Sequence, residues 1–141
     1  MKKVGFIGLG NMGLPMAANL LKAGIEIDAF DISKESLQVA KKLGMNVKDN
    51  PDGVLENVDA LITMLPSDDA VKDVFIDGDI LEKLDRKVLV IESSTISPSL
   101  AKTVAEKGVL NEISVLDAPV SGGVKGAELG TLTFIVGGKK S

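Results

Sequence analysis

Short, nearly continuous apolar runs alternate along the chain with segments whose apolar residues recur at helical spacing. The apolar runs predict strands at residues 3–8, 26–31, 59–65, 88–93, 114–119 and 132–138. Runs without polar interruptions are typical of strands that are buried on both faces of a parallel sheet. The segments between them predict helices at residues 13–24, 33–44, 67–75 and 97–108.

The ends of the predicted helices carry residues that are typical of helix boundaries. Ser33 is expected to cap the second helix and Gly44 to end it. In the fourth helix, Ser97 is expected at the N-cap, Pro98 at the first helical position and Gly108 just past the end. The alternation of strands and helices with short joints predicts one α/β domain of Rossmann type, a doubly wound, mostly parallel sheet with helices on both faces.

Three glycines follow the first predicted strand at the spacing G-x-G-x-x-G and lead into the first predicted helix. In a dinucleotide-binding fold, Gly8 would form the tight turn, Gly10 would admit the pyrophosphate and Gly13 would let the helix pack on the strand. Asp31 ends the next predicted strand and follows the glycine motif by about 20 residues, as in a dinucleotide-binding fold. A carboxylate at this position accepts hydrogen bonds from a ribose and repels a 2′-phosphate. We therefore predict NAD as the cofactor, with contacts from Gly8, Leu9, Gly10, Asn11, Met12, Gly13 and Asp31.

Two alternatives to this cofactor site stay open on the sequence alone. The glycines would also suit a tight turn that only ends a strand, and Asp31 would also suit a solvated position before the second helix. Lys34 lies near Asp31 in the sequence and keeps NADP as the less favoured cofactor, although no arginine stands next to Asp31 to hold a phosphate.

Composition narrows the class of protein further. Apolar residues make up 45% and charged residues 26% of the 141 residues, a balance that is typical of a globular domain. No apolar run approaches the roughly 18 residues of a membrane helix, and no secretory signal is recognised. The 16 basic residues are scattered among 20 acidic ones, which disfavours a nucleic-acid surface. The sequence therefore favours a small ligand and a cytoplasmic or mitochondrial matrix location.

The residue types that the sequence lacks exclude several chemistries. The chain contains no Cys, His, Tyr or Trp. A serine–histidine triad, a cysteine nucleophile, a tyrosine general acid and a thiolate or imidazole metal site are therefore impossible within it. We expect no metal site.

Four blocks of sequence together resemble the β-hydroxyacid dehydrogenase family. They are "GFIGLGNMGLPMAANL", "ITMLPSDDAV", "ESSTISPS" and "DAPVSGGVKGAELGTLTFIVGG", and they span nearly the whole chain in order. The resemblance implies that Met64, Leu65 and Pro66 lie against the cofactor and that Thr95 lies near the nicotinamide. Met64 and Leu65 would also suit the end of a core strand, whereas Ser97 is better explained as a helix cap and Ser93 is not expected to take part.

The block "APVSGG" resembles the substrate-binding signature of this family. The resemblance implies that Ser121, Gly122 and Gly123 hold the carboxylate of the substrate, and a glycine-rich turn before a short helix does offer closely spaced amides to an anion. A plain turn with a serine cap is the alternative. Lys125 lies beside this signature but does not match the catalytic base of the family, so we interpret it as a solvated charge.

The resemblance implies hydride transfer between a small 3-hydroxy acid, such as 3-hydroxyisobutyrate, and NAD. In the family the general base is a lysine, with an asparagine, on a helical domain that follows the dinucleotide-binding domain and forms most of the oligomer contacts. No catalytic residue is therefore expected within residues 1–141, and we expect the chain alone to be inactive, with a homo-oligomer formed by the full-length protein.

Other functions stay open at this point. Within the same family, the substrate could be tartronate semialdehyde, succinic semialdehyde or glyoxylate. From another class, the chain could be a non-catalytic nucleotide-binding sensor module, but such a module has no need of the anion loop in "APVSGG".

Overall fold

The computed structural model describes residues 1–137. The first six strands form one parallel sheet in the order β3-β2-β1-β4-β5-β6. They are β1 (Lys3–Ile7), β2 (Glu26–Phe30), β3 (Asn46–Val47), β4 (Ala60–Thr63), β5 (Leu89–Glu92) and β6 (Ser114–Asp117). This order confirms the predicted Rossmann-type α/β fold, and it places the reversal of strand order between β1 and β4.

Helices connect the strands and cover both faces of the sheet. They are α1 (Gly13–Lys22), α2 (Lys34–Leu43), α3 (Asp68–Lys72), α4 (Ile80–Lys83), α5 (Pro98–Leu110) and α6 (Gly123–Leu129). Ser33, Ser67 and Ser97 accept a hydrogen bond from the backbone amide three residues later, and each therefore caps the helix that follows. No helix among the described residues is both long and apolar enough to cross a bilayer.

Alternate residues of the central strands divide the core into two apolar layers. Val4 and Phe6 of β1 belong to the layer beneath α1, α2 and α6, whereas Ile7 belongs to the layer beneath α3, α4 and α5. Both layers are inaccessible to water, which explains why the strands appear in the sequence as continuous apolar runs.

The prediction that Gly108 lies just past the end of its helix is wrong. Helix α5 continues to Leu110, and Asn111 occupies the C-cap. A Cβ atom on Gly108 would lie 2.7 Å from Cγ2 of Val115 and 3.0 Å from the carbonyl oxygen of Ile113. Gly108 is therefore explained by the close packing of α5 on β6 rather than by helix termination.

The predicted strand at 132–138 does not extend the parallel sheet. Thr133–Phe134 (β8) pairs antiparallel with Val120–Ser121 (β7) in a separate two-stranded sheet, and residue 138 lies outside the described residues. The antiparallel pairing continues at Gly137, which bridges to Asp117. Strand β6 is at the edge of the main sheet, so its outer backbone groups are available for this pairing.

Several short elements are not predicted from the apolar pattern. They are β3, a 3₁₀ turn at Pro51–Val54, α4, and the last two residues of a π-helical turn at Asp73–Asp77 that extends the helix predicted at 67–75. Each is five residues or shorter, which is too short to establish a helical or strand periodicity.

Candidate functional site

A cavity of about 570 Å³ opens at the carboxyl ends of β1, β2 and β4. The loops that follow these parallel neighbours leave the same edge of the sheet, at the point where strand order reverses. The cavity wall includes most of the residues that the sequence predicts for the cofactor: Gly8, Gly10, Asn11, Met12, Gly13, Asp31, Met64, Leu65 and Pro66.

The three glycines of the first loop have different surroundings. A Cβ atom on Gly8 would lie 2.1 Å from the carbonyl oxygen of Met64, and one on Gly13 would lie 1.8 Å from the carbonyl oxygen of Gly8. Gly10, in contrast, has no neighbouring heavy atom within 4 Å of such a Cβ. Two glycines are thus required for packing, while the third leaves open space for a ligand next to the backbone, as a bound pyrophosphate requires.

The amino end of α1 faces this space. Its N-cap residue, Met12, makes no side-chain capping hydrogen bond, and the first turn contains no acidic residue. A helix of 10 residues concentrates positive partial charge and unpaired amides at this end. The surroundings of Gly10 and this helix end together fit the diphosphate of a dinucleotide.

Asp31 is held in place by the loop that it faces. Its Oδ2 accepts a hydrogen bond from the amide of Leu9 at 2.6 Å, and its Oδ1 accepts one from the amide of Ser33 at 2.7 Å. A carboxylate oxygen can accept two hydrogen bonds, so each retains capacity for a ribose hydroxyl. The side chain of Leu9 lies in the core with 1% exposure, and Leu9 is not part of the cavity wall.

A buried carboxyl group that the sequence analysis missed lies at the end of β5. Glu92 is 1% exposed. Its Oε2 accepts a hydrogen bond from Oγ1 of Thr63, and its Oε1 accepts one from the amide of Ser94 at 2.7 Å. Burial raises the pKa of the Glu92 carboxyl, and these hydrogen bonds oppose that rise. The available signal was an acidic residue at the end of an apolar run, which is unusual for a buried strand.

Thr95 lies apart from the main cavity. It is exposed, between buried Ser94 and the start of α5, and it is not part of the cavity wall. Ser97, as expected, is the N-cap of α5. Ser93 is buried, and its hydroxyl has no hydrogen-bond partner among the described residues.

The predicted substrate loop lines neither the main cavity nor a second cavity beside it, although Val124 and Glu128 of the helix that follows the loop line the second cavity together with the glycine loop. Ser121, Gly122 and Gly123 are exposed at the end of β7 and the start of α6, with φ angles of 129° at Gly122 and 64° at Gly123. The second cavity, of about 410 Å³, has walls from α1, α2 and α6 and includes Asn11. Lys125 is exposed on α6.

A hydrogen bond fixes α6 against α1. Nδ2 of Asn19 donates to the carbonyl oxygen of Ala127 at 2.6 Å, close to the end of α6.

Within residues 1–137, no three His, Cys, Asp or Glu side chains are grouped so that they could hold a metal ion. This edge of the sheet offers hydrogen bonding and anion binding by backbone amides and a few side chains.

Several known proteins are similar to this chain in sequence and fold. A probable mitochondrial 3-hydroxyisobutyrate dehydrogenase from Dictyostelium discoideum is 43% identical over 140 residues, which are 99% of this chain and 44% of that protein. An NAD-dependent L-serine dehydrogenase from Pseudomonas aeruginosa is 40% identical over 139 residues, 98% of this chain and 47% of that protein. The chain thus spans a little less than half the length of these relatives.

A solved structure of Mycobacterium tuberculosis 3-hydroxyisobutyrate dehydrogenase with L-serine matches with a TM-score of 0.93 and 40% identity, over 99% of this chain and 47% of that one. The family model described as the NAD binding domain of 6-phosphogluconate dehydrogenase matches residues 3–141. This match covers nearly every residue, including the glycine loop and Asp31. The chain therefore belongs to the family of NAD-binding domains found in 6-phosphogluconate dehydrogenase and in hydroxyacid oxidoreductases related to 3-hydroxyisobutyrate dehydrogenase.

Proposed function

We propose that this chain is the NAD-binding part of an oxidoreductase that transfers a hydride between a small 3-hydroxy acid, of the 3-hydroxyisobutyrate type, and NAD. The observation that carries the proposal is the cavity at the reversal of strand order, with the glycine loop, Asp31 and Met64–Pro66 in its wall. Relatives with 40–43% identity are described as dehydrogenases of such acids, which supports the class of substrate.

Each part of the cavity has a role in this proposal. Amides of the loop from Gly8 to Gly13 bind the pyrophosphate, and Asp31 accepts hydrogen bonds from the adenosine ribose. Met64, Leu65 and Pro66 pack against the cofactor, and Thr95, outside the cavity wall, is assigned to the nicotinamide on the family resemblance alone. The bound nicotinamide supplies the hydride acceptor or donor.

The substrate would bind next to this cofactor. In the proposal, backbone amides at Gly122 and Gly123 and the hydroxyl of Ser121 bind its carboxylate, because the turn before α6 exposes all three. Oxidation of an alcohol also needs a base for the hydroxyl proton. With neither His nor Tyr in the sequence, we assign the base to a lysine outside these 141 residues, as the family resemblance implies.

L-serine is a second candidate substrate. It is also a small 3-hydroxy acid, a relative with 40% identity is described as an L-serine dehydrogenase, and the matched mycobacterial structure includes L-serine. Both substrates present a carboxylate and a primary alcohol. The proposed anion loop would accept either, and the choice between them would be made by groups that contact the rest of the substrate.

The cofactor preference is tested by titrating the 141-residue chain with NADH and NADPH and following nucleotide fluorescence. We expect NADH to bind at least about tenfold more tightly, because the Asp31 carboxylate accepts ribose hydrogen bonds and repels a 2′-phosphate. Asp31→Ser should remove most of this difference. Asp49→Ser, an exposed carboxylate outside the cavity wall, is the matched control and should leave it unchanged.

Equal affinity for NADPH in the wild-type chain would contradict the NAD preference, and failure of both nucleotides to bind would contradict the cofactor site. The chain should also show no steady-state oxidation of 3-hydroxyisobutyrate or L-serine while it binds NADH. Turnover by these 141 residues would overturn the assignment of the base.

A further inference from the structure

Glu92 has a buried position that the proposed cofactor contacts do not explain. It is the register partner of Thr63 in the ladder between β5 and β4, so the two side chains lie on the same face of the sheet. Thr63 and the amide of Ser94 both donate hydrogen bonds to its carboxyl group. Burial of a carboxylate is costly, and here both of its oxygens are satisfied by buried partners.

The hydrogen bonds continue from Glu92 to the wall of the cavity. Ser94, whose amide is held by Glu92, accepts a hydrogen bond at its Oγ from the amide of Leu65 at 2.8 Å. Leu65 lies in the cavity wall, and its Cδ2 would be 3.2 Å from a Cβ atom on Gly8. The buried carboxyl group thus connects, through one serine, to the loop that encloses the site.

The hydrogen bonds that join Glu92, Thr63, Ser94 and Leu65 form a network on one side of the reversal of strand order, where one half of a bound dinucleotide would lie. Asp31 follows β2, which lies on one side of β1, whereas the network joins β4 and β5 on the other side. In a doubly wound fold the two mononucleotide halves lie on opposite sides of this reversal. If Asp31 binds the adenosine ribose, the network lies on the side of the nicotinamide.

We propose that Glu92 is a positioning residue for the nicotinamide half of the cofactor, which acts through Ser94 on the Leu65 loop and on the backbone next to Thr95. This inference rests on the proposed function. Glu92 does not itself touch the cofactor in this account. It fixes two loops relative to each other, so its removal affects ligands that reach these loops and spares those that do not.

The test compares NADH with ADP-ribose, which lacks the nicotinamide, on the 141-residue chain at a temperature where circular dichroism shows each variant to be folded. Glu92→Ala should raise the Kd for NADH about tenfold, because the Ser94 amide and the Thr63 hydroxyl lose their acceptor. The Kd for ADP-ribose should change by less than about twofold, because its contacts lie outside the network.

Two further variants separate positioning from a general loss of structure. Glu92→Gln should keep the Kd for NADH within about threefold of wild type, because its amide oxygen can accept from Ser94 and its amide nitrogen can donate to the Thr63 hydroxyl. Ser94→Ala removes the acceptor for the Leu65 amide and leaves the Glu92 carboxyl group in place, so it should weaken NADH binding selectively even if Glu92→Ala does not fold. Asp49→Ser, at an exposed carboxylate outside the cavity wall, is the control and should change neither Kd.

The outcomes distinguish this inference from the function on which it rests. If Glu92→Ala or Ser94→Ala weakens NADH and ADP-ribose equally, or if Ser94→Ala leaves NADH binding unchanged, the positioning role is overturned while the cofactor site stands. If the wild-type chain binds neither ligand, the proposed function is overturned and this inference with it.

Discussion

At the scale of single residues, three glycines in one motif have separable roles. Gly8 and Gly13 are required because neighbouring carbonyl oxygens occupy the space of a side chain, whereas Gly10 has empty space beside it. Only Gly8 of the three has a positive φ angle, at 102°. The motif therefore combines two packing requirements with one requirement for ligand access, and substitutions should separate them.

Gly10→Ala should leave the free energy of unfolding within about 0.5 kcal/mol of wild type, because the new methyl group meets no protein atom. It should weaken NADH binding at least about tenfold, because the methyl group occupies the space left for the pyrophosphate. Urea unfolding and NADH titration measure the two effects.

Gly13→Ala should instead destabilise the chain by about 2 kcal/mol or more, because a Cβ atom there would overlap the carbonyl oxygen of Gly8. Urea unfolding measures this effect, and Gly10→Ala is its matched control. Similar stabilities for the two variants would contradict the different packing of the two glycines.

Glu92 should also give the stability of the chain a distinct pH dependence. Burial raises its pKa, and the nearby Asp117 carboxyl contributes to the rise. A raised pKa means that the folded state binds the proton more tightly than the unfolded state, so this contribution is present at low pH and is lost as pH rises from the ordinary glutamate pKa through the raised one. Glu92→Gln should lack this decline in the free energy of unfolding.

The measurement is a series of urea unfolding curves between pH 4 and pH 8, with the difference between Glu92→Gln and wild type as the observable. Hydrogen bonds lower the pKa values of Asp59 and Asp68, so the contributions of these two groups to the free energy of unfolding are lost as pH falls. These contributions are the same in both proteins and cancel in the difference, which therefore reports on Glu92. A pH-independent difference would show that Glu92 does not titrate in this range.

Local residue patterns predicted local roles, and tertiary partners were not predictable from them. Ser33 and Ser97 are caps because a serine before a helix bonds to an amide three residues away, which the sequence alone specifies. The buried carboxyl group of Glu92, in contrast, accepts a hydrogen bond from Thr63, which lies 29 residues earlier, and only the register of β4 and β5 brings the two side chains together.

At the scale of elements, the packing of α5 on β6 decides the role of Gly108. Helix propensity alone favours Ala over Gly by about 1 kcal/mol at such a position. The structure predicts the opposite sign, because a methyl group would lie 2.7 Å from Val115. Gly108→Ala should therefore destabilise the chain by about 1–3 kcal/mol in urea unfolding.

A second variant identifies the cause of that loss. Val115→Ala removes the Cγ2 atom that would meet the new methyl group, so the cost of Gly108→Ala should be smaller in the Val115→Ala background than in wild type. Additive effects of the two substitutions, or a stabilising Gly108→Ala, would show that the helix does not pack as closely as the structure indicates.

The elements themselves were predictable where they are long and periodic. Five of the predicted strands match β1, β2, β4, β5 and β6, although each is shorter than predicted at its carboxyl end. The residues beyond the ends of β1, β2 and β4 form loops at the cavity edge, which apolar character alone does not reveal. The apolar run at 132–138 does not indicate whether its strand pairs parallel or antiparallel, so its antiparallel pairing with β7 could not be predicted from the sequence.

At the scale of the whole molecule, cofactor binding should stabilise the entire fold. The cavity wall includes residues of β1 and β2 and of the loops that follow β1, β2 and β4, so unfolding of the sheet destroys the site. At an NADH concentration about 100 times the Kd, linkage contributes about 2.7 kcal/mol, which corresponds to a rise in Tm of roughly 10 °C for a chain of this size. Scanning calorimetry measures the shift.

Gly10→Ala is the control for this prediction, because it should have the wild-type Tm without nucleotide and little shift with it. A rise in Tm of the same size in both proteins would place NADH binding outside the cavity. The fold and the class of cofactor could be predicted from the sequence because they depend on a local motif and on periodicity. The stabilisation of the whole fold by the ligand could not, because it depends on how the sheet brings the separate loops together.

The two amide hydrogen bonds to Asp31 have a consequence for the kinetics and entropy of recognition. The carboxylate is held in advance by the amides of Leu9 and Ser33, so under the proposed function little rotamer freedom of this side chain is lost when the ribose binds. The ordering cost of association then falls mainly on the flexible nucleotide. A receptor prepared in this way needs no rearrangement of Asp31 before capture, so encounter rather than conformational change would limit how fast the adenosine end docks.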